Sequence, residues 1–99
     1  MHQSKRCSEF SIIDGAEWET CFLCGGKADH LHHIFEGTGC RKWSDKRKLL
    51  VRLCYKCHGK LHDTSCPDMQ YLHELGQRTY EEKIGTREQF RQEFIRSYL

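Results

Sequence analysis

The chain has 99 residues, 37% of them hydrophobic and 30% charged, with a formal net charge of +2. A chain of that length is expected to form one domain, 1–99, that buries only roughly 60–65% of the surface its unfolded form exposes. With a mean hydropathy of −0.77 the core is lean, so a bound metal is expected to be part of the fold. No apolar run approaches the ~20 residues of a membrane span, and the net charge alone selects no partner.

The opening MHQSKRC is polar rather than a secretory leader. The expectation is therefore a reduced, cytoplasmic protein whose seven cysteines are not knit by disulfides. Residues 1–20 offer only short apolar marks, Phe10 to Ile13 and Trp18, around an Asp14-Gly15 turn. Trp18 and Phe22 are expected to cap the cysteine frame that begins at Cys21.

The stretch from 21 to 62 organises the rest. Cys21-x-x-Cys24 and Cys54-x-x-Cys57 are two thiol pairs separated by a long insert, a spacing at which each pair can turn both sulfurs toward one tetrahedral Zn²⁺. Gly25-Gly26 after the second thiol permits the tight turn of a zinc knuckle. Cys7, Cys40 and Cys66 are then left as free thiols. A thiol-redox role for CxxC is disfavoured, because no thioredoxin-like strand–helix context precedes either pair.

Residues 28–35 (ADHLHHIF) read as a strand. A period of two puts His33 with Leu31 and Phe35 on one face and His30, His32 and Ile34 on the other, although bulges at strand ends break such parity. Residues 36–48 (EGTGCRKWSDKRK) read as a loop, with Ser44-Asp45 as a turn or helix start. Residues 49–53 read as a second strand leading directly into Cys54. A helix is expected from near Tyr55, with His58 and His62 one turn apart on one face, a spacing that lets two imidazoles reach one ion. Pro67 ends it. Beyond it Met69, Leu72, Leu75 and Tyr71 form a helical stripe up to Gly85. A capping box, Thr86-x-x-Gln89, then starts a helix carrying Phe90, Phe94, Ile95 and Tyr98. His73 reads as a packing or surface histidine. The fold class is α+β: a zinc-stabilised ββα unit over 21–62 with a helical extension over 68–99.

Positive charge is concentrated inside the insert. RKWSDKRKLLVR holds Arg41, Lys42, Lys46, Arg47, Lys48 and Arg52 against Asp45 alone, whereas residues 67–99 are nearly balanced. A local basic strip is the electrostatic footprint of a phosphate backbone. A solvated loop with no partner is the plainer alternative.

Taken together, Cys21-x-x-Cys24, His32-His33-Ile34, Leu53-Cys54-x-x-Cys57-His58 and His62 resemble an HNH endonuclease of the ββα-metal (treble-clef-like) superfamily. The likeness is greatest to small nuclease-like proteins of phages and prophages with an HHIF-G-G-R-S stretch, here His32 to Phe35, Gly37, Gly39, Arg41 and Ser44. The ending, Phe94 to Leu99, extends the similarity over nearly the whole chain. The resemblance implies that His32, His58 and His62 bind a catalytic divalent ion (Mg²⁺, Mn²⁺, Zn²⁺ or Ni²⁺) beside the structural Zn²⁺. It implies that His33 is the general base, and that DNA is cut to 5′-phosphate and 3′-hydroxyl ends.

The chemistry suits the residues. An imidazole with a pKa near 6.5 can take a proton from water at neutral pH, while a divalent ion steadies the leaving oxygen. Arg41, with Lys42, Lys46, Arg47 and Lys48, would contact phosphates. A second copy of the chain or other phage proteins are further candidate partners, in a bacterial host cell. The chain departs from the pattern at Leu49, where the family has the Asn that braces the loop bearing the base; Ser44, Asp45 or a backbone carbonyl is expected to substitute. Asp29-His30 offers a competing metal–base pair. The alternative function is a non-catalytic, zinc-stabilised module that binds nucleic acid or protein.

Overall fold

The computed structural model describes residues 11–36, 39–61 and 66–99. Their architecture is α+β, a two-stranded sheet with four helices. Strand β1 (His30–His33) pairs antiparallel with β2 (Leu50–Leu53), with His30 opposite Leu53 and His33 opposite Leu50. The aliphatic run of β2 buries Leu50, Val51 and Leu53, and Leu49 just before it is also fully buried. That run anchors β1, whose own HLHH sequence has little strand propensity.

Between the strands, where the sequence reads as a loop, the chain forms helix α1 (Cys40–Arg47). Gly39 and Lys48 bound it with backbone φ of 85° and 60°. Nothing between them breaks a helix, and Lys46 and Arg47 in the last turn favour the negative end of its dipole. Cys40 and Ser44, four residues apart, face the core. Six charged or polar residues in eight hide that stripe from a pattern search.

Helix α2 (Tyr55–Lys60) follows β2 at once, with Cys54 as its N-cap: the Cys54 sulfur accepts from the Cys57 N–H. Helix α3 (Asp68–Lys83) packs on helix α4 (Arg87–Phe94), and α4 packs on α1. Thr86 caps α4 by accepting from the Gln89 N–H, the hydrogen bond that the capping-box spacing implies. Leu72 is the buried member of the α3 stripe, while Tyr71 is half exposed, because the inner face runs on through Gly76, Gln77, Thr79 and Tyr80.

Helix α4 ends earlier than the aromatic spacing suggests. Ile95 leaves it with φ 79° and is exposed, so Tyr98 reaches the core from an extended tail rather than from a helix. The Tyr98 N–H donates to Oε1 of the buried Gln77 (2.6 Å), which pins the tail to α3.

Ile34 and Phe35 immediately follow β1 and are both buried, so the alternation stops at the strand end. Phe35 packs among Phe90, Phe94, Tyr98 and His73. Gly76 makes that possible, since a Cβ there would stand 2.8 Å from Phe35 and 2.9 Å from Ile34. Trp18 and Phe22 pack on the same core, with the Arg52 guanidinium 4.3 Å over the Trp18 ring. No helix among the described residues is long and apolar enough to cross a membrane.

Candidate metal centres

The sulfurs of Cys21, Cys24, Cys54 and Cys57 come together, all within 4.8 Å of one another. The first pair sits on a knuckle: the Cys21 N–H donates to the Gly26 carbonyl (2.7 Å) and the Gly25 N–H to the Cys21 carbonyl (2.9 Å). Gly25 takes φ 83°, a conformation that side-chain-bearing residues resist. The second pair spans the β2–α2 junction. A hydrogen bond from the Phe22 N–H to the Arg52 carbonyl (2.8 Å) holds the two together.

The Cys24 and Cys54 sulfurs lie 3.7 Å apart, well beyond a disulfide bond, and the six cysteines among the described residues are free thiols. Their acidities diverge. Burial raises the Cys21 thiol, but backbone hydrogen bonds from Cys54, Cys24 and Leu23 outweigh it and bring the group down to about 6. Burial pushes Cys57 up, and its hydrogen bonds with the other three sulfurs push it further. Four thiolates cannot share this space without a cation, so the group could hold one metal ion.

A second group lies where β1, its following turn and α2 meet. His32, Glu36 and His58 each offer a ligand atom, again all within 4.8 Å. His32 is buried, with Nδ1 2.9 Å from Glu36 Oε2, while Glu36 is substantially exposed. His32 and His58, which the sequence joins only through the family resemblance, are thus brought together. Glu36 is the member that sequence reasoning misses: in the sequence it reads as the start of a loop, and the usable signal is its position four residues after His32, just past two apolar residues. His62 lies outside the described residues, as do Cys7, Phe10 and Gly37.

The other imidazoles divide between the two faces of β1. His30 Nδ1 stands 3.1 Å from His58 Nδ1, so one ring donates and the other accepts. His33, the last residue of the strand, turns instead toward α1, with Nε2 3.7 Å from Asp45 Oδ1. Asp29 serves α2: its carboxylate accepts from the Tyr55 N–H (3.0 Å) at that helix's first turn. In the competing Asp29-His30 pair the aspartate is therefore engaged as a helix cap.

The segment after His33 is braced from two sides. Buried Ser44 accepts from the Phe35 N–H (2.9 Å) and donates to the Phe35 carbonyl (2.8 Å). The Ile34 N–H donates to the Leu49 carbonyl (3.1 Å), so Leu49 contributes its backbone, while its side chain fills the core.

Arg41, Lys42, Lys46 and Lys48 are exposed on or beside α1, with the Lys46 ammonium 4.9 Å over the Trp43 ring. Arg47 differs from its neighbours. Its guanidinium forks onto Glu93 of α4, with Nε 2.9 Å from Oε1, and Tyr80 donates to the same oxygen (2.9 Å). His73 stacks on Phe35, at 5.4 Å between centroids, as a packing histidine.

No protein-family model, curated protein or solved structure matches this chain.

Proposed function

We propose that the chain is a metal-dependent DNA endonuclease of the HNH type, on a ββα-metal, treble-clef-like frame stabilised by zinc at Cys21, Cys24, Cys54 and Cys57. Tetrahedral Zn–S bonds of about 2.3 Å put sulfurs about 3.8 Å apart, close to the 3.7 Å between Cys24 and Cys54. The observation that carries the reading is a second candidate centre of different chemistry. Where four sulfurs close a structural site, His32, Glu36 and His58 supply three nitrogen and oxygen ligands, the composition of a centre with a position left for water or substrate. The two imidazoles suit Zn²⁺ or Ni²⁺, while the carboxylate and phosphate oxygens suit Mn²⁺ or Mg²⁺.

A divalent ion there would polarise the scissile phosphate and stabilise the leaving 3′ oxygen. His33, at the end of β1 with Asp45 3.7 Å away, takes the proton from the attacking water. Exposed Arg41, Lys42, Lys46 and Lys48 draw in the phosphate backbone, a contact without a base code. Arg47 is left out of that set, because Glu93 neutralises it within the fold.

The second reading, a zinc-stabilised module that binds nucleic acid or protein without cutting it, draws on one observation: neighbours on a strand point to opposite faces, so His33 leans away from the His32 side. Plasmid nicking with each of the four ions separates the two. His33→Ala is expected to keep its metal at the four cysteines and lose cleavage by roughly 10²–10⁴-fold. Equal cutting by both proteins rejects His33 as the base, and loss in His30→Ala alone moves that role to the imidazole beside His58. Absence of cutting by the wild type leaves the binding module.

A further inference from the structure

A cleft of about 580 Å³ opens between the start of α3 and the tail that follows α4. Met69, Gln70, His73, Arg96 and Tyr98 line it. It is built against the second candidate centre, because His73 on its wall stacks on Phe35, the residue that leads into Glu36. Cleft and centre therefore flank one short, braced segment.

Arg96 stands out among the arginines of this region. Arg78, Arg87 and Arg91 each have a glutamate partner, at 3.5, 2.9 and 4.0 Å. Arg96 has no ion-pair partner among the described residues. Instead its guanidinium lies 4.9 Å over the ring of Tyr98, which is itself packed on Phe35 and His73. An arginine stacked on a fixed aromatic ring keeps its planar fork of donors ordered and uncommitted, the presentation that suits a phosphate. The tail is also fixed, by Gln77, which accepts from the Tyr98 N–H and donates to Ser97 Oγ (3.0 Å).

We propose that this cleft is a subsite for a backbone phosphate of the DNA strand bound at the His32–Glu36–His58 centre, with Arg96 as the contacting group and Tyr98 as the platform that orders it. The inference rests on the proposed nucleic-acid function and deepens it, giving the ending Arg96-Ser97-Tyr98-Leu99 a task in positioning substrate.

The test is fluorescence anisotropy of a short labelled deoxyoligonucleotide, without added divalent ion, titrated with wild type, Arg96→Gln and, as a charge-matched control away from the cleft, Arg91→Gln. Arg96→Gln is expected to weaken binding roughly tenfold and to lower the slope of log affinity against log salt by about one, whereas Arg91→Gln stays within about twofold of wild type. Equal losses in the two variants, or none in Arg96→Gln, overturn the subsite. So does displacement of the oligonucleotide by inorganic phosphate at matched phosphate concentration, which would assign the cleft to a free anion. Plasmid nicking by the wild type is scored separately. Arg96-dependent binding without nicking keeps the subsite and removes hydrolysis, and nicking with Arg96-independent binding does the reverse.

Discussion

Ser44 holds the turn behind His33 through one buried hydroxyl that both accepts from and donates to Phe35. The family resembled by the sequence uses an Asn near this loop, at the position of Leu49. Here the bracing is shared between the Ser44 side chain and the Leu49 carbonyl, which frees the Leu49 side chain for the core. Ser44→Ala would strand a buried N–H and a buried C=O of Phe35, at a cost of about 1–3 kcal/mol. Urea unfolding should show that loss, and a change within error of zero would mean that another group or water replaces the hydroxyl. Glu36 shows the limit of reading residues by type. A lone carboxylate before a glycine resembles any loop residue until the turn brings it back to His32.

Helix α1 illustrates why some elements are legible in the sequence and others are not. The two CxxC pairs, the second strand, α2 and the Thr86 cap announce themselves through short-range chemistry, a thiol spacing or a cap that needs no distant partner. The inward face of α1 consists of Cys40 and Ser44, neither strongly apolar, and its outward face is crowded with charge. It becomes a helix because the core and the Phe35 backbone receive that face. Ile95 is the converse: its spacing from Phe90 and Phe94 looks helical, yet the chain turns there with positive φ to bring Tyr98 onto Phe35. The approach of α3 to that same ring depends on Gly76. Alanine would gain helix propensity of about 1 kcal/mol, but its methyl would meet Phe35 at 2.8 Å. Overpacking of that kind costs about 1–3 kcal/mol, and backbone and ring must move to relieve it. Gly76→Ala is thus expected to lower the thermal midpoint and to weaken the second metal centre next to Phe35. A raised midpoint would contradict the close approach.

Across the molecule, the basic helix is tied to the C-terminal helices through one charged knot. Arg47 of α1 and Tyr80 of α3 both bond Glu93 of α4. Burial alone would raise the Glu93 carboxyl, but hydrogen bonds from Arg47 and Tyr80 outweigh it and hold the group below its ordinary 4.5. A depressed carboxylate stabilises the fold above its unfolded pKa, and that stability drains away as the pH falls from about 4.5 through the folded value. Burial and the bond to Glu93 raise Tyr80 to about 12, so its contribution persists below its ordinary 10.0 and fades between there and 12. Glu93→Gln should cost about 2–3 kcal/mol at neutral pH and flatten the acid limb of the stability profile. An unchanged acid limb would mean that other carboxylates govern it.

In the proposed mechanism four sulfurs build the frame while a separate His–Glu–His centre carries the reaction. The most direct test is nicking of supercoiled plasmid by zinc-loaded protein as Mn²⁺ is titrated, comparing wild type with Glu36→Ala. The expected result is ion-dependent nicking by wild type and a requirement for at least roughly tenfold more ion in the variant, since losing a direct ligand costs no less than losing a group that orients one, with zinc at the four cysteines unchanged. Equal ion dependence in the two proteins, or a wild type that leaves the plasmid intact at every concentration, would contradict it.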